Sequence, residues 1–173
     1  MEHVLIHCRA PPASTIWSLA HQLWPHAPQL WPTLSLGIVL GCGAIHLPNQ
    51  DPQPGATPHP QANPLSNRGT KRLLQILISE SAHLIWVLRC ERAIRDKHHS
   101  TREIQSRWLQ AINTRLTEDK ITATRIKRDK SYTTLVSTTW APVLSRDSDP
   151  PNLHNWIYNR EVLVGRRHLR PPP

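Results

Sequence analysis

The sequence predicts a mainly α-helical protein: a small bundle of three to four helices with a disordered proline-rich linker and irregular termini. Three observations lead there. Apolar residues recur at three- and four-residue intervals over two long stretches, from Thr70 to Asp96 and from Ser100 onward, which is the period of one helix face. Six prolines fall between Pro48 and Pro64, with no Val, Leu or Ile before Leu65. The chain of 173 residues is 38% hydrophobic, with no Phe and 7 Trp, so it can build one modest core with tryptophan as its bulkiest filler.

Residues 1–12 read as a short strand or turn, apolar at Val4, Leu5 and Ile6 and ended by Pro11-Pro12. A first helix is expected over roughly 14–24, with Ser14 as its N-cap, Trp17, Ala20 and Leu23/Trp24 on one face, and Pro25 as its stop. Pro25, Pro28 and Pro32 exclude a regular helix from 25–33. Leu34 to Leu40 form a short buried segment closed by Gly41-Cys42-Gly43. Residues 48–68 cannot bury enough apolar surface to offset the entropy of ordering them, and are expected to be disordered.

The helix from Thr70 to Asp96 places Leu74, Leu77, Ile78, Ile85 and Leu88 on one arc, with Leu73 and Leu84 at its edges. Ser81 lies mid-arc, where a small side chain lets another helix approach. Arg72, Gln75, Ser79 and His83 lie opposite. Ser100-Thr101-Arg102-Glu103 has the S-x-x-E form of a capping box. Behind it Ile104, Trp108, Ile112 and Leu116 follow at i+4 spacing, with Glu103–Arg107 as a favourable i,i+4 pair. A third long helix is expected from about Arg128 to Leu144, bent or ended by Pro142. The rest is irregular, with one short strand at Glu161–Val164. The organisation expected is a truncated apolar segment (1–47), a linker (48–68), a basic helical module (69–148) and an irregular tail (149–173).

Charge divides the chain. Residues 1–67 carry Arg9 against Glu2 and Asp51, a net −1, and residues 68–173 carry 20 Lys/Arg against 10 Asp/Glu, a net +10. No charged residue lies between Ala10 and Gln50. The run Lys120, Arg125, Lys127, Arg128 and Lys130, opposed only by Asp129, suits contacts to phosphates of RNA or DNA, which give affinity without sequence preference. Trp108 and Trp140 would stack bases only if exposed, and their periodic placement argues for the core. Solvation of helix faces is the plainer use of the same charge.

Catalytic motifs are missing: there is no G-x-S-x-G, no H-E-x-x-H and no G-x-x-x-x-G-K. Gly41-Cys42-Gly43 opens like a dinucleotide loop, but His46 replaces its third glycine and Pro48 blocks the helix that should follow. The acids are few and mostly sit three to four residues from an arginine, as in Glu91–Arg95, so no two-metal carboxylate cluster is expected. Glu80 and His83 read as a hydrogen-bonded polar pair at the core edge. His3 and Cys8, spaced H-x4-C, could supply two of the four ligands of a structural zinc site, with Cys42 and His46 as further candidates. A surface histidine and a small buried cysteine are the plainer reading. The chain is expected to be no enzyme. Three widely spaced cysteines fit a reducing, intracellular setting, nuclear or cytoplasmic. The longest apolar run, Leu34 to Leu47, falls below the ~20 residues that span a bilayer. A membrane is not an expected partner either, because Trp17, Trp24 and Trp31 lie in the half without basic charge.

Two stretches resemble a known family. Glu2-His3-Val4-Leu5-Ile6-His7-Cys8 resembles the downstream E-H-x4-C half of the zinc-binding segment that follows the polymerase and RNase H regions of non-LTR retrotransposon proteins. Leu77-Ile78-Ser79-Glu80-Ser81-Ala82-His83-Leu84-Ile85-Trp86, with Leu88-Arg89 and Glu91-Arg92, is similar to the helical tail of fungal reverse-transcriptase/RNase H-like proteins. Arg107-Trp108-Leu109, Ala111-Ile112-Asn113, Arg115-Leu116, Thr139-Trp140 and Val162-Leu163-Val164-Gly165 follow there in the same order. The resemblance implies a non-catalytic C-terminal accessory module whose upstream domain is a natural partner. It carries over only His3 and Cys8 as ligands, binding zinc only if upstream ligands are supplied, and no catalytic residue. The alternative is a helical interaction or structural unit whose apolar front half seeks the missing domain.

Overall fold

The structure, a computed structural model, describes residues 2–7, 11–45, 47, 64–126, 130–144, 156–158 and 162–164. It is mainly α-helical, with four helices of more than ten residues and no strand among the described residues. A π-helical turn over His3–His7 precedes α1 (Pro11–Leu23). A single 3-10 turn at Pro28–Leu30 and the short α2 (Leu36–Leu40) follow. The body consists of α3 (Pro64–Arg95), α4 (Thr101–Arg125) and α5 (Lys130–Trp140). The expected strand at the C-terminal end is reduced to one antiparallel bridge between Leu144 and Val164.

Two boundaries differ from the sequence reading for the same reason: proline opens helices as readily as it ends them. Pro11 and Pro12 form the first turn of α1, where a missing N–H costs nothing because that group has no intrahelical acceptor. Ser14 therefore lies inside the helix and is not its N-cap. Likewise α3 begins at Pro64, six residues before the expected Thr70. Gly69 and Thr70 are buried there. A Cβ on Gly69 would lie 2.6 Å from the carbonyl carbon of Thr138, so α3 and α5 approach through the missing side chain. The rest of the linker, 48–63, lies outside the described residues.

The α3 arc is as periodicity requires: Leu73, Leu74, Leu77, Ile78, Leu84, Ile85 and Leu88 are all buried. By length and composition α3 could cross a membrane, yet over half of that stretch is buried inside the protein against α1, α4 and α5. Ser81 is fully buried and accepts a 3.0 Å bond from the Trp108 indole, so it offers both room and an acceptor. On α4, Ile104, Trp108, Ile112 and Leu116 are fully buried behind a complete capping box. Helix α5 ends at Trp140, and Pro142 sits within a closing 3-10 turn, Ala141–Val143.

The apolar face of α1 is covered within the chain. Ile16, Leu19 and Ala20 of α1 are fully buried, packed on α3 and α4, in one hydrophobic cluster with the rest. The expected division between an apolar front segment and a separate basic module does not extend to the core. Only Val39 of α2 is buried, and Leu40 is 68% exposed, so the segment Leu34–Leu40 is a rim and not a core element.

Candidate nucleic-acid interface

Two polar nodes hold the helices in register. Asp119, 3% exposed, accepts two 2.7 Å bonds from the Arg72 guanidinium on α3 and a 2.7 Å bond from the Trp140 indole on α5. Burial is the largest single influence on Arg72 and works against its charge, but the bond to Asp119, the Asp119 charge and Tyr132 together outweigh it and keep the guanidinium more strongly protonated than usual. The second node joins the end of α3 to the start of α4. Glu91 accepts bonds of 2.7 and 2.9 Å from Arg107, and lies 2.6 Å from Nε2 of His99, whose side chain is 4% exposed. The Arg107 bonds, aided by His99, hold the Glu91 carboxyl down to about 2.

These nodes replace the short-range pairs read from spacing. Glu91 pairs with Arg107 across the corner and not with Arg95. Glu103 is taken by its cap, accepting from the Ser100 backbone N–H at 2.7 Å, and not by Arg107. Glu80 and His83 share no hydrogen bond among the described residues; burial raises the Glu80 carboxyl above its ordinary value.

The run of predicted phosphate contacts divides. Lys120 is only 7% exposed, and its ammonium donates to the Val162 carbonyl at 3.4 Å. Burial pushes its pKa below the ordinary lysine value. It faces the interior, one turn of α4 beyond Leu116, and is not a surface contact. Arg125 and Lys130 are exposed at the end of α4 and the start of α5, while Lys127 and Arg128 lie outside the described residues. His3 is exposed in the π-helical turn, and Cys8, its expected fellow ligand, lies outside the described residues, as does His46. Cys42 is half-buried in a 3-10 turn, Cys42–Ala44. Among the described residues no three His, Cys, Asp or Glu side chains converge as a metal site requires.

The denser cationic surface is at the α3–α4 corner. Arg89, Arg92 and Arg95 on the last two turns of α3, Lys97 in the connection and Arg102 on the first turn of α4 are all exposed. None forms an ion pair among the described residues. The nearby acids are Asp96, 3.3 Å from His98, and the cap-bound Glu103. The chain turns here at Asp96, whose φ of 49° is left-handed, and the Lys97 N–H reaches back to the Glu91 carbonyl at 3.3 Å. The signal was present in the sequence: five Lys/Arg between residues 89 and 102 match the five between 120 and 130. It was diluted by Glu91 and Asp96, and only the fold shows that Glu91 is spent on Arg107.

The tryptophans sort by exposure. Trp24, Trp108, Trp140 and Trp156 are buried, and Trp17 donates to the Leu5 carbonyl at 2.7 Å. Trp31 packs edge-on to Trp24 and His21, with centroids 5.8 and 5.6 Å apart. Trp86 alone of the seven is exposed, at 43%. No protein-family model, no curated protein and no solved structure matches this chain.

Proposed function

We propose that the protein is a non-catalytic, basic helical module that holds RNA or DNA by the phosphate backbone. The observation that carries this reading is the α3–α4 corner, where five exposed cations stand without an ion pair among the described residues and only Lys97 feels the cap-bound Glu103. Charges left unneutralised by the fold are available to displace the counterions of a polyanion, and that release makes binding strong at low salt and weak at high salt. Arg125 and Lys130 at the α4–α5 turn are a second, smaller contribution. The same reading takes the module as the C-terminal accessory of a retroelement-derived reverse-transcriptase/RNase H-like protein, on the residues quoted for that resemblance.

A salt titration tests it. The logarithm of the binding constant should fall linearly with the logarithm of salt concentration, by roughly 0.7–0.9 per phosphate neutralised. Replacing Arg89, Arg92, Arg95, Lys97 and Arg102 by Gln should flatten that slope by several units, about one per lost contact. The interior Lys120→Met should leave it unchanged. An unaltered slope in the fivefold variant would overturn the reading.

A further inference from the structure

We propose that the outer face of α3 selects single-stranded nucleic acid, with Trp86 as a stacking platform for a base and Arg89 and its neighbours as phosphate contacts. This rests on the reading above and names the form of its ligand. Trp86 is the one tryptophan of the seven that the fold leaves exposed, and the core takes up or packs against every other. Trp86 has no hydrogen bond or ring contact among the described residues.

Helix geometry sets what stands beside it. Arg89 lies three residues on and therefore next to Trp86 on the helix surface. At 100° per residue Arg89, Arg92 and Arg95 then step away from the indole by about 60° each, a cationic track leaving one side of the ring. The opposite flank carries the exposed, uncharged Ile94 and the half-buried Cys90. A polyanion is thus drawn to one side of the ring, and the indole, 43% exposed, has no other ring stacked on it among the described residues. Stacking needs a base whose face is free. A duplex hides its base faces, whereas a single strand presents them, which is why aromatic platforms edged by cations suit single strands. The charge beside Trp86 favours this occupant over an apolar protein surface, which would have to bury Arg89 as well.

The test is the affinity of the full chain for a labelled oligothymidylate, an oligouridylate and a mixed-sequence duplex of equal length. Both single strands should bind more tightly than the duplex, because stacking ignores the sugar. Trp86→Ala should weaken single-strand binding about tenfold and leave the duplex unaffected, while Trp86→Phe keeps most of the affinity. Trp86 is at the surface, so an unchanged melting temperature confirms that both variants are folded. If Trp86→Ala binds single strands as the parent does, while the fivefold Gln variant loses binding, the stacking role falls and the phosphate reading stands. If no nucleic acid binds even at low salt, both fall together.

Discussion

A carboxylate that serves two helices at once is a larger liability than one that serves none. Asp119 is almost wholly buried and receives both Arg72 and Trp140. Asp119→Ala would strand the largely buried guanidinium of Arg72 and is expected to destabilise the fold by about 3–5 kcal/mol in urea unfolding. Ser81→Ala leaves the buried Trp108 indole without its acceptor and should cost about 1–3 kcal/mol by the same measurement. Glu91 governs the acid limb. Its carboxyl titrates near 2 in the folded protein, against an ordinary value of 4.5. Its contribution is therefore complete above about 4.5 and is lost as the pH falls toward 2. Stability measured across that window should fall less steeply in Glu91→Gln than in the parent. These roles were the least legible in the sequence. Arg72 and Asp119 are 47 residues apart, and spacing rules reach only one helical turn.

At the level of the element, local signals did well where local chemistry decides. The S-x-x-E box at Ser100 marks the start of α4, and Ser100→Ala should lower thermal stability by about 1 kcal/mol. Apolar periodicity identified the buried faces of α3 and α4, because burial on a helix repeats with the helix. Proline is ambiguous at Pro11-Pro12 and at Pro64, since its meaning depends on whether a helix lies behind it or ahead of it. Gly69 shows the same limit: only the neighbouring Thr138 explains it, and Gly69→Ala should cost about 1–3 kcal/mol by pushing α5 off α3. Asp96 pays for its left-handed backbone with a side chain that prefers otherwise. Asp96→Gly is expected to raise the melting temperature, and to tighten nucleic-acid binding by removing an acid from the cationic corner.

For the molecule as a whole, charge asymmetry was legible but its address was not. The excess of +10 in the second half pointed to an anionic partner, and the densest run in the sequence proved to include a lysine turned inward. What spacing cannot say is which cations the fold consumes. Arg72 and Arg107 are spent on Asp119 and Glu91, and five of the unspent ones gather where α3 meets α4. Mutual dependence is the second property of this scale. Deleting residues 1–63 would strip α1 from α3 and α4 and should produce a chain that binds hydrophobic dye and loses its cooperative unfolding transition.

The seating of α1 also sets a schedule for synthesis. Its apolar face, with Ile16 and Leu19, is finished before part of its berth exists, because α4 does not begin until Thr101. At 5–20 residues per second, elongation from Leu23 to Thr101 takes on the order of ten seconds. Throughout that interval the nascent chain carries an apolar helix with no charged residue from Ala10 to Gln50 to keep it soluble. Until α4 emerges, this segment is therefore a client for whatever shields exposed hydrophobic helices, and the protein's yield in a cell depends on that protection before the finished fold has any stability to offer.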